Sequence, residues 1–236
     1  TGTIAFTSGK STGGKGGSIT LSVGEGNTGV GGDITVNAGI TSASDNIGGA
    51  ISIASGKGTA TSSGAVSIST SNGGTAGVSG NIGLTTGDTA DGNTGTIAFT
   101  SGKSTGGKGG SITLSVGEGD TGVGGDFSVS AGNTIADSGT TGGKVILQSG
   151  ESVLTSSGAF TLSTPNAGIA GVSGNLDLTS GTSSVGNSGT IAFTSGKSIG
   201  GKGGSITLSV GEGDTGVGGD FSVSAGNTIA DSGTTG

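Results

Sequence analysis

Residues 2–26 recur unchanged at 95–119 and with one change at 189–213, and this self-similarity constrains the fold more than any other feature. The long period is 93 or 94 residues, starting at Gly2, Gly95 and Gly189. Residues 95–142 match 189–236 at every position but one, where Thr105 becomes Ile199. A shorter period lies inside it. Units begin at Gly2, Gly17, Gly32, Gly49, Gly64, Gly80 and Gly95, then at Gly110, Gly125, Gly143, Gly158, Gly174, Gly189, Gly204 and Gly219. Each of these 15 units carries Ile, Leu, Val or Phe at its third and fifth positions, as in Ile4/Phe6, Ile19/Leu21, Phe127/Val129 and Leu176/Leu178. The seventh position is small or β-branched, and the eighth is Gly except at Ser71 and Pro165.

Apolar residues at every second position predict a short strand with one buried face. Terminal glycines then supply the positive φ for a corner, and Pro165 falls where no ladder donor is needed. Helix is excluded, because nothing repeats at 3.6 residues and no Gly-free run exceeds nine residues. One unit cannot fold alone. Ordering its backbone costs about 1 to 2 kcal/mol per residue, against about 1.5 to 3 kcal/mol for each of two buried side chains. Stacked rungs would supply the remainder, so the expected fold is all-β, a parallel β-solenoid of fifteen 15–18-residue units in one continuous segment over 1–236. Even-numbered units are all 15 residues long and all six Phe fall in odd units, which favours two units, about 31 residues, per coil. In that arrangement Ile4 stacks beside Ile34, and in the one-unit alternative beside Ile19. Long turns at 40–48 and 133–142 would project from one edge.

Composition narrows the function. With 60 Gly among 236 residues and no Cys, His, Arg, Met, Trp or Tyr, the chain lacks the usual nucleophile, near-neutral acid/base and phosphate clamp, and no enzyme is expected. Eight Lys against 15 acidic residues give a net charge of −7, which argues against nucleic acid as a partner, as do six Phe as the only aromatics. No apolar run is long enough to span a membrane. A flexible Gly/Ser linker is the compositional alternative, but the strict apolar placement disfavours it. Collagen and calcium-binding nonapeptide rolls fail on period.

The candidate sites are few. Corner carboxylates pair as Glu118 with Asp120, Glu212 with Asp214, and Asp88 with Asp91; loop carbonyls beside them could help bridge calcium, although solvated corner charge is the simpler reading. The first two pairs recur with their repeat, whereas an active site is normally a departure from one. Outward Ser and Thr, such as Thr20 and Ser22, suit a soluble sheet face. Their spacing also resembles the Thr-x-Thr rows of solenoid antifreeze proteins, which makes ice binding the alternative function; Ala5, Asn37 and Asp177 interrupt the rows. A carbohydrate-binding surface module is a weaker alternative, since Trp and Tyr are absent. Ser and Thr at 61–63 and 155–157 are candidate O-glycosylation positions, and no Asn-x-Ser/Thr sequon occurs.

The Gly-x-Ile-x-Leu-x-x-Gly units with Ser/Thr/Gly corners resemble the very long repeat proteins of microalgal, diatom-like extracellular matrix and adhesive material, and more loosely bacterial solenoid adhesins. The resemblance implies a secreted or surface-anchored structural protein with no catalytic residues to transfer. The expected function is therefore a non-catalytic segment of an extracellular fibre, filament or adhesin. Its expected partners are further copies or further array, together with surface polysaccharide or glycan. The chain starts and stops inside the repeat pattern, so it is read as a window on a longer array.

Overall fold

The computed structural model describes residues 2–135 and 140–227. Its backbone falls into two units, Thr1–Ser115 and Val116–Gly236, each built from the same repeated element. The division lies inside the Gly110 unit rather than at a boundary of the long period.

The repeated element is a closed loop. Among the described residues the 15-residue units each bend once: bends occupy 12–14, 27–29, 59–61, 90–92, 105–107 and 120–122, and the same places in later units. The 16-residue units shift this feature one position later, to 75–77 and 169–171. After the bend the chain returns to its own starting point. The leading glycine of the next unit arrives against the seventh residue of the preceding one: a Cβ added at Gly17 would lie 3.1 Å from Ser8 Cβ, one at Gly49 3.3 Å from Ala38 Cβ, and one at Gly110 3.2 Å from Ser101 Cβ. Where the seventh residue is Val the approach is closer still, 2.5 Å at Gly32 to Val23 Cγ1, 2.8 Å at Gly125 to Val116 Cγ1, and 2.7 Å at Gly219 to Val210 Cγ1. At Gly2 an added Cβ would meet nothing within 4 Å.

Hydrogen bonds close the loop at the same place. The Gly49 N–H donates to the Gly39 carbonyl at 2.8 Å, and Gly64 to Gly56, Gly143 to Gly132, and Gly158 to Gly150 do so at 2.9 Å. Gly17 donates to Gly9 at 3.2 Å, and the Ser8 hydroxyl adds a bond to the Gly17 carbonyl at 2.8 Å. Each acceptor is the eighth-position glycine. The result is a small Ω-like loop whose ends are pinned together.

This overturns the expected β-solenoid. Among the described residues there is no strand and no helix, so neither the two-unit nor the one-unit coil forms, and the Ile4–Ile34 and Ile4–Ile19 ladder pairings have no counterpart. The physical reason lies in loop closure and in cover. Pinning a 9-residue loop costs about 1 kcal/mol less chain entropy than pairing residues about 31 apart. At the six hydrogen-bonded closures it also uses the leading-glycine N–H and the eighth-position C=O, where a ladder would begin. The apolar pairs meanwhile find no opposing layer: third-position residues range from 46% exposed at Ile97 to 84% at Ile4. Total accessible surface is 23161 Å², against about 9,100 Å² for a compact domain of this mass and about 31,000 Å² for an extended chain.

The expected role of the terminal glycines also changes. Positive φ among the described residues occurs at Gly92, Gly171 and Gly186, all on the far side of the loop, and at no leading or eighth-position glycine. Close approach, not backbone conformation, is what demands glycine at Gly32, Gly125 and Gly219 and favours it at Gly17, Gly49 and Gly110. The long turns at 40–48 and at 133–135 and 140–142 are exposed, as expected, but so are the shorter ones; 136–139 lie outside the described residues. Nothing in the structure explains the confinement of Phe to odd units.

Two outcomes follow. In hydrogen exchange, the amides of Gly49, Gly64, Gly143 and Gly158 should be slower than those of Gly31 and Gly124, which lie beside the pinch and take part in no such bond. Gly125→Ala places a methyl against Val116, an overpacking cost of about 1 kcal/mol or more that should lower the closed population of that loop about fivefold. Val116→Ala in the same chain should restore it, as read by the Gly125 amide chemical shift and exchange rate.

Candidate functional site

Loop closure leaves its imprint on the tenth position of each unit. Where this residue is Gly, it packs onto the returning backbone: a Cβ at Gly26 would lie 2.6 Å from the Val30 carbonyl oxygen, at Gly119 2.9 Å from that of Val123, and at Gly213 2.5 Å from that of Val217. At five of the Ser and Thr positions the hydroxyl ties the bend. The Ser198 Oγ accepts from the Gly201 N–H and the Ser152 Oγ from the Thr155 N–H, both at 3.0 Å. Thr89 and Ser183 donate to the carbonyls of Asp91 and Val185, again at 3.0 Å, and Thr41 accepts from the Ala43 N–H at 3.2 Å. Short hydroxyl side chains bond readily to backbone two or three residues away, which is why they stand in for Gly here.

The carboxylates sit on these loops. Glu118 and Asp120 flank Gly119, Glu212 and Asp214 flank Gly213, and Asp88 and Asp91 bracket the bend tied by Thr89; all six are exposed. Among the described residues no three acidic side chains gather closely enough to hold a metal ion, and no pocket is present. The calcium reading rests on two carboxylates per loop, with no third brought in by the fold. Calcium titration followed by calorimetry should show only weak, non-saturating binding, with any apparent dissociation constant above about 1 mM; a saturable micromolar site lost in Glu118→Gln/Asp120→Asn would contradict this.

The Ser/Thr rows depended on a flat ladder, and among the described residues none exists; the ordered spacing that an ice-matching face requires is not formed. The candidate O-glycosylation positions at 61–63 and 155–157 are exposed, although Thr155 is also held by Ser152 through its N–H and its hydroxyl. What the chain presents in every unit is the apolar pair. Fifth-position residues run from 56% exposed at Leu178 to 81% at Phe6, and loop apolar residues such as Ile40, Val123 and Ile199 exceed 95%. Sequence reasoning missed the tenth-position turn residues, although Gly, Ser or Thr occupies that place in every unit but one, where it is Ala167.

No family model, no curated protein and no solved structure matches this chain. No helix among the described residues is long and apolar enough to cross a membrane.

Proposed function

We propose that this chain is a non-catalytic structural segment of an extracellular fibre, filament or surface adhesin, working by repeated weak association of its units with further copies. The observation that carries the reading is the apolar pair at positions three and five, left about half or more exposed in unit after unit. Soluble monomers rarely keep apolar surface open in a recurring pattern, and where they do it marks an interaction surface. Repetition multiplies the effect. A contact worth little in one unit becomes strong when many units engage together, because each later contact forms at high effective concentration. The pinned loops assist by limiting the freedom that each unit must surrender on association.

The extracellular placement rests on the resemblance of the Gly/Ser/Thr-cornered units to matrix and adhesive repeat proteins. Surface polysaccharide or glycan is a secondary partner that the exposed hydroxyl-rich loops could engage. The non-catalytic reading is supported by the residue inventory, which lacks His, Cys and Arg, and by carboxylates that repeat along the sequence and do not converge among the described residues. Replacing Ile97, Phe99, Ile112 and Leu114 by Ser should weaken self-association at least about tenfold, since each removes about 1.5 kcal/mol or more of apolar burial. Sedimentation velocity over a concentration series measures this. Unchanged association would remove the apolar pairs from the account.

A further inference from the structure

Six of the eight lysines fall in three loops, two to each: Lys10 and Lys15, Lys103 and Lys108, Lys197 and Lys202. The loop one unit later is acidic every time, carrying Glu25, then Glu118 with Asp120, then Glu212 with Asp214. All of these residues are exposed, and among the described residues none of their ammonium or carboxylate groups has an ion-pair partner within the chain. Opposite charges are thus sorted into neighbouring loops, at a spacing of one unit, and remain unpaired. That sorting also matches the period of the exposed apolar pairs.

We infer that the partner covering these apolar pairs is a second copy of the same chain, lying in the same direction and displaced by one unit, so that each Lys-pair loop meets the carboxylate loop of its neighbour. The inference rests on the self-association reading above and adds its register. In-register pairing is disfavoured, because every Lys pair would face the identical Lys pair and every acidic loop its own copy. A one-unit displacement reverses this at all three lysine loops together. It also brings the Asp88/Asp91 loop onto Lys103 and Lys108 from the other side. The opposing cost falls on the acidic loops, since Glu25 then faces the unit of Asp33 and Asp45, and Glu118/Asp120 and Glu212/Asp214 face the units of Asp126 and Asp220; it is offset where Asp33 and Asp45 meet the unit of Lys57 and Asp177 that of Lys197 and Lys202. A displaced, same-direction contact does not close on itself. Each pair leaves an overhang for the next copy, which generates an open filament rather than a dimer.

The test uses the whole chain as an equal mixture of light and nitrogen-15-labelled copies, treated with a zero-length carbodiimide cross-linker, so that mixed-label peptides report contacts between copies. The expected products join Lys103 or Lys108 to Glu118 or Asp120, and Lys10 or Lys15 to Glu25. Association should weaken at least about tenfold between about 20 mM and about 500 mM salt, because the paired loops are exposed and screened. Lys→Glu replacement at the three lysine pairs should weaken it similarly, and mixing that chain with one carrying Lys at Glu25, Glu118, Asp120, Glu212 and Asp214 should restore it. Cross-links of Lys10 or Lys15 to Glu212 or Asp214 would establish opposite direction and overturn the proposal. So would association that persists unchanged through salt and charge reversal, which leaves apolar self-association standing without this register. Failure of the native chain to associate at any salt would remove both.

Discussion

The structure depends on one close contact: the leading glycine of each unit lying against the seventh residue of the unit before. At Gly32, Gly125 and Gly219 no other residue fits, since a methyl would lie 2.5 to 2.8 Å from the preceding valine; at Gly17, Gly49, Gly95, Gly110, Gly143 and Gly204 it would press on its neighbours at 3.1 to 3.3 Å, and at the other closures it would make ordinary contact. The seventh position is correspondingly small or β-branched, and at Gly17, Gly49, Gly64, Gly143, Gly158 and Gly219 a Gly-to-Gly hydrogen bond forms beside the contact. Because these are local interactions, separated by nine to twelve residues, each loop can form without waiting for any other. The repeat is therefore a string of similar local closures rather than a cooperative core.

Local closure determines what the chain leaves outside. The apolar pair occupies the stretch between two pinned loops, flanked by glycines that offer it no cover, and it remains open in both halves of the chain. The loops carry the charge, and the tenth-position Gly, Ser and Thr fix the bends on which that charge is displayed. Apolar stretches for contact and charged loops for register are thus separate features of one unit. Duplication copies both together, and that is why a filament-forming function suits this chain better than any unique site.

Much of the unit was legible in the sequence. The leading glycines, the apolar third and fifth positions and the small seventh position mark the period at which the loops recur, but the bends fall inside each unit, at its eleventh to thirteenth residues in the 15-residue units, and not at the terminal glycines. The interpretation of that period was wrong. Alternation such as Ile4, Phe6, Ser8 says which residues share a face, but it does not say that a second layer exists to cover the face. Gly17 and Gly49 were read as corner residues needing positive φ; their use as contact points for Ser8 and Ala38 cannot be read without knowing that the chain returns there. The tenth-position residues were overlooked because Gly, Ser and Thr are so common here that a further regular column hardly stands out. Glu118, Asp120 and the other paired carboxylates lie on exposed loops, and spacing along the chain cannot show whether a third ligand joins them.

The central claim, that units close on themselves instead of stacking into a ladder, is tested most directly by nuclear Overhauser contacts in a specifically labelled chain. Ala38 and Gly49 suit the purpose, because the Ala38 methyl lies against the leading glycine of the following unit, whose N–H bonds to Gly39 at 2.8 Å. The account predicts a strong contact between the Ala38 methyl and the Gly49 α-protons, with no contacts linking Ile34 to either Ile4 or Ile51. Ladder contacts between Ile34 and either of those residues, without the Ala38–Gly49 contact, would contradict it.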